Sequence, residues 1–133
     1  MSSTVTICGN ATADPELRTT GNGTSVCRLG VAVERRKKNA AGEWESIASF
    51  FDATCWKELA EHVAGSVRKG DRVVVTGRLE QRTFTDRNNT ERTVVEIVAD
   101  DVGVSLLRTT ADVARTARRG PSPSDADFPS EPF

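Results

Sequence analysis

From Ser25 onward, Cys27, Leu29, Val31 and Val33 alternate with Arg28, Gly30, Ala32 and Glu34. Apolar residues at every second position set one face of an extended strand on a core and the other in solvent. The same period predicts a strand at Val5–Cys8, closed by Gly9-Asn10, and another from Ile47 to Trp56. Asp14-Pro15 and Gly21-Asn22-Gly23 carry turn chemistry. Between the second and third strands, the run Arg35-Arg36-Lys37-Lys38-Asn39-Ala40-Ala41-Gly42-Glu43-Trp44 reads as a basic hairpin tip.

After Trp56 the period changes. Leu59, Ala60, Val63 and Val67 recur at helical spacing, and Gly70, after Arg68 and Lys69, reads as the helix stop. Period two returns at Val73, Val75 and Leu79, and this fourth strand continues to Phe84. Asp86-Arg87-Asn88-Asn89 is a turn, and Thr93, Val95, Ile97 and Ala99 form a fifth strand. The order is three strands, one helix, two strands. That is the connectivity of the oligonucleotide/oligosaccharide-binding (OB) barrel, all-β with one helix. A five-stranded sheet of this size has to close or to cover one face.

Beyond Arg108 the pattern dissolves. Residues 1–108 are expected to form one OB-fold domain, and 109–133 a disordered tail, with a brief helix at Ala111–Arg118 as an option. Charge changes the picture here more than it does in the body. The bases and acids from Met1 to Arg108 balance. Arg115, Arg118 and Arg119 then make a basic stretch, and Asp125, Asp127 and Glu131 an acidic tip. Two rings sit in that tip, in Asp127-Phe128-Pro129 and Glu131-Pro132-Phe133.

Composition excludes several classes. With 37% hydrophobic and 28% charged residues the chain is globular, and no apolar run suits a membrane span. Cys8, Cys27 and Cys55 lack metal spacing, and His62 is the lone histidine, so no metal is expected. The three thiols read as small buried hydrophobes in a reducing cytoplasm, with an intersubunit disulfide as the alternative. Neither a nucleophile–base pair nor a phosphate-cradling loop is visible. The chain is expected to be no enzyme, to need no cofactor and to take no small-molecule substrate.

The outward positions carry the chemistry. On the fourth strand they are Arg72, Val74, Thr76, Arg78, Glu80, Arg82 and Phe84. Arginine neutralises phosphate, and an aromatic ring stacks on any base. A solvated, self-paired strand face would show Arg78, Glu80 and Arg82 equally well. Phe50 and Phe51 point to opposite faces, and Trp56 shares the parity of Phe50. Trp44, at the hairpin tip, either stacks or packs locally. The basic run Arg36-Lys37-Lys38 is either a solvated loop or a clamp on phosphates.

Taken together, VTICGNATADPELR, GNGTSVCRLGVAV, FDATCWKELAEHVAGSVRKGDRVVVTGRL, RTFTD and VVEIVADDV span residues 4–108. This set resembles the bacterial single-stranded DNA-binding protein family, homotetramers of the OB fold. The resemblance implies binding of single-stranded DNA in replication, recombination and repair, in the cytoplasm at the nucleoid. Family aromatic positions fall at Phe50, Trp56 and Phe84, and basic ones at Arg82, Arg18, Arg68 and Lys69. The resemblance also implies that the tip, Asp125 to Phe133, docks on replication and repair proteins. Three departures stand out. Arg36 falls near a family aromatic position, Asp52 and Glu58 stand where bases are common, and the tail is short. They leave open a secondary paralogue, and an OB-fold interaction scaffold with weak or no DNA binding.

Overall fold

Leu29, Val31, Ala53, Cys55, Val73, Val75 and Ile97 come from different strands and bury their side chains in one core. The computed structural model describes residues 3–116. Its elements are β1 (Ser3–Ala11), β2 (Leu17–Thr19), β3 (Ser25–Lys38), β4 (Trp44–Trp56), α1 (Lys57–Ser66), β5 (Arg72–Thr85) and β6 (Glu91–Val104). The pairings run in a circle. β1 pairs with β5, β5 with β6, β6 with β4, and β4 with β3. β3 returns to β1 at Asn10↔Ala32 and Ala11↔Val31. Among the described residues only β4–β6 is parallel. Closure removes most of the exposed sheet edge and shelters the alternating apolar face. The expected all-β class with one helix between strands is therefore present.

The core positions are those that alternation selects on β3 and β5, except Leu79, which is 38% exposed on the outer half of β5. On β6 the alternation breaks. Thr76 pairs with Asp101 and Gly77 with Ala99, so Asp100 is an extra residue. Such a bulge reverses the parity of the residues beyond it. Ile97 and Ala99 are buried before the bulge, and Val102 packs on the core after it.

Several boundaries differ from the sequence reading. Arg35 to Lys38 belong to β3, and Trp44 opens β4, so the turn is only Asn39 to Glu43. There the Asn39 side-chain oxygen accepts the backbone N–H groups of Ala41 and Glu43, each at 2.9 Å. Both β3–β4 and β5–β6 thus continue past the barrel as two-stranded arms. Helix α1 stops at Ser66, four residues before Gly70. Gly70 instead takes a left-handed conformation (φ +92°) in the turn after the helix, where its N–H donates to the Ala11 carbonyl at 2.8 Å. Residues 111–116 contain no helix, and the short β2 has no counterpart in the sequence pattern.

The Asp-Pro-Glu motif has a structural role. The Asp14 carboxylate accepts the Lys69 backbone N–H at 2.7 Å, which ties the end of β1 to the turn after α1. Cys27 and Cys55 are cross-strand neighbours inside the core. Burial raises both thiols, Cys55 to about 12. In the unfolded chain each would ionise near its ordinary value, so the unfolded state releases protons first. Stability is therefore expected to fall as pH rises from about 9 toward 12. A thiol reagent should modify only Cys8 in the native protein and all three thiols in denaturant. Rapid native labelling of Cys27 or Cys55 would contradict the buried pair.

Candidate nucleic-acid interface

Register places the predicted stacking residues. On the outward face of β4 stand Trp44, Ser46, Ala48, Phe50, Asp52, Thr54 and Trp56. Directly opposite on β3 are Lys38, Arg36, Glu34, Ala32, Gly30, Arg28 and Val26. Trp44, Phe50 and Trp56 therefore share one face with Arg28, Arg36 and Lys38. Phe50 is 73% exposed, Trp44 64% and Trp56 41%. Rings this open on a folded surface are unusual, because burying them would be favourable. Lys37 pairs with Glu45 on the opposite face of the same arm.

The parallel pair Thr54↔Val98 and the antiparallel pair Val98↔Arg78 carry the outward row from β4 across β6 to β5. Further along β5 the same parity presents Arg82 and Phe84. The Arg82 guanidinium lies 5.9 Å from the Phe84 ring centre, a cation–π contact that holds the two together. Phe84 is 42% exposed. The arm that carries it is pinned at its tip by Asp86. That carboxylate accepts the N–H groups of Thr90 and Asn88 and the Arg92 Nε, each at 2.9 Å. The Thr90 bond, and then Arg92, hold its carboxyl pKa below the usual carboxylate range.

Other predicted basic residues are partly engaged within the chain. Arg18 pairs with Glu16 at 3.3 Å, and Arg78 with Asp100 at 4.0 Å. Exposed pairs of this kind are weak and give way to a stronger anion. The Arg68 guanidinium donates to the carbonyls of Ala64 and Val67 at the end of α1, at 2.9 and 2.8 Å. Its position is that of a helix cap. Lys69 is fixed through its backbone by Asp14, and its side chain stays exposed.

Sequence reasoning passes over Arg28 and Arg108 as ligand contacts, and it names Arg72 only as an outward position of the fourth strand. Arg28 is exposed beside Thr54 on the outward row. Arg72 and Arg108 line a cleft of about 690 Å³ with Arg35, Arg36 and Phe50. The Ser105 N–H donates to the Arg72 carbonyl at 2.8 Å and extends the β5–β6 pairing by one residue, and the chain then bends at Leu107 and Arg108. The Arg72 Nε is buried with no hydrogen-bond partner among the described residues, although the side chain as a whole is only half-buried. The parity of Arg28 is a usable signal, whereas nothing in sequence places Arg108. The tail residues Asp125, Asp127, Phe128, Pro129, Glu131, Pro132 and Phe133 lie outside the described residues.

The model of the single-strand binding protein family matches residues 2–105. This chain belongs to that family. A single-stranded DNA-binding protein of Mycolicibacterium smegmatis is 46% identical over 119 residues, 88% of this chain and 72% of the relative. That of Mycobacterium leprae is 47% identical over 119 residues, 88% of this chain and 71% of the relative. Among solved structures, the small single-stranded DNA-binding protein from Streptomyces coelicolor superposes with a TM-score of 0.66 at 32% identity. The match covers 80% of this chain and 97% of that one. These relatives are named for binding, and the family is not an enzymatic one. Among the described residues no helix is long and apolar enough to cross a membrane.

Proposed function

We propose that this protein binds single-stranded DNA of any sequence, requiring no recognition site, and protects it during replication, recombination and repair. One observation carries the reading, namely the open rings of Phe50, Trp56, Trp44 and Phe84 set among arginines on the outward face. Bases stack on those rings, and Arg82, Arg78, Arg36, Arg28 and Lys38 follow the phosphates. Lys37 can reach the backbone only around the edge of its arm. Arg18 lines a cleft with Arg28 and Asp52, Lys69 is exposed after α1, and Arg68 serves chiefly as a helix cap. The neutral body is no obstacle, because binding depends on local charge at the groove.

The working unit is proposed to be a homotetramer, cytoplasmic and nucleoid-associated. Residues 1–108 do the binding, and the tip from Asp125 to Phe133 recruits replication and repair proteins. A terminal ring beside a carboxylate suits a hydrophobic pocket with a basic rim. Family membership and the short acidic tip support this reading. A second reading, an interaction scaffold with little DNA affinity, draws on the acid Asp52 within the aromatic row.

Adding oligo-dT should quench the fluorescence of Trp44 and Trp56. Affinity should fall linearly with salt on logarithmic axes, with a slope of about −0.7 per phosphate neutralised. Unchanged fluorescence together with no mobility shift at low salt would sink the proposal.

A further inference from the structure

Asp52 stands inside the aromatic row, two residues from Phe50 and four from Trp56 on one strand face. At the rise of a β-strand those offsets are about 7 and 13 Å, so a base stacked on Phe50 passes close to it, and the DNA strand leading from there to Trp56 runs past it. Its cross-strand neighbour is Gly30, which has no side chain to cover it. A Cβ built on Gly30 would already touch the Thr12 hydroxyl and would lie 3.8 Å from an Asp52 carboxylate oxygen. The missing side chain therefore keeps open a cleft of about 560 Å³ that Asp52 lines with Thr12, Arg18, Arg28 and Thr54. Asp52 is exposed, and among the described residues no hydrogen bond or ion pair holds its carboxylate.

Toward a phosphate backbone this charge is unfavourable. Toward a base edge it is selective, because a carboxylate only accepts hydrogen bonds. Cytosine offers its N4 amino group, a known carboxylate partner. Thymine offers one N3–H set between two carbonyl oxygens, and both repel the acid. Resting on the single-strand reading above, we propose that Asp52 reads the edges of stacked bases and biases this surface toward bases with an exocyclic amino group, cytosine ahead of thymine.

The full-length protein and its Asp52→Ala and Asp52→Asn variants would be titrated with oligo-dC and oligo-dT of equal length at one salt concentration. Asp52 is exposed, so both variants are expected to fold. Removing the charge tightens binding to oligo-dT. For Asp52→Ala the gain on oligo-dC is smaller, and the preference for dC over dT drops by about three- to tenfold. Asp52→Asn keeps an acceptor oxygen and falls between. If Asp52→Ala improves both ligands by the same factor, the residue only repels phosphate and the inference fails while the single-strand reading stands. If the unaltered protein binds neither ligand, both fall.

Discussion

Phe84→Ala weakens binding to single-stranded DNA by about ten- to a hundredfold, with no loss of thermal stability. The size comes from base stacking, worth about 1–3 kcal/mol per base when the ring is removed. One further feature places Phe84 toward the upper part of that range. Arg82 lies over its ring, so the substitution also frees a guanidinium that the ring had positioned. The substitution is also clean. Phe84 sits near the end of β5, opposite Arg92, and takes no part in the core. Titration with oligo-dT beside a thermal melt separates the two quantities. Equal affinity for variant and parent would favour the scaffold reading and remove Phe84 from the site.

The largest expected effect on stability comes from adding a single carbon at Gly77. This residue is buried where β5 crosses the bulge of β6. A Cβ there would lie 2.9 Å from both the Ala99 Cα and the Val98 carbonyl carbon, and closer still to the Val98 oxygen. All three are backbone atoms, so no rotamer change relieves the clash. Overpacking costs about 1–3 kcal/mol where side chains can yield, and here the strands themselves must part. Gly77→Ala should therefore lower the melting temperature by about 10 °C or more. Gly103→Ala on β6 is the matched control, since a Cβ there meets nothing within 4 Å. A melting temperature unchanged in Gly77→Ala would mean that the bulge can shift to make room.

Legibility in the sequence tracks the core closely. Cys27, Leu29, Val31, Val73 and Val75 alternate because one face of their strands is dry, and those strands can be read from period alone. Where both faces are wet, the signal vanishes. Arg35 to Lys38 look like a loop by charge, yet they continue β3, held by the ladder to β4. Trp44 looks like part of the tip for the same reason. The three exposed residues of β2 offer no contrast to read. The bulge at Asp100 defeats period counting because parity changes within the strand. At the site, parity correctly gathers Phe50 with Trp56 and Arg82 with Phe84. Arg68 and Arg108 lie beyond its reach. The partners of the first are carbonyls at a helix end, and the position of the second depends on how the chain bends after β6.

The two arms separate what must be conserved from what is free to vary. Residues 34–38 and 78–85 are exposed throughout, so a change there alters the surface offered to a ligand without a debt to the barrel. Arg36 lies on one of these arms, and Asp52 and Glu58 are exposed positions elsewhere. Selection can thus retune binding on this scaffold one residue at a time, while the chain keeps the same shape and the same folding problem.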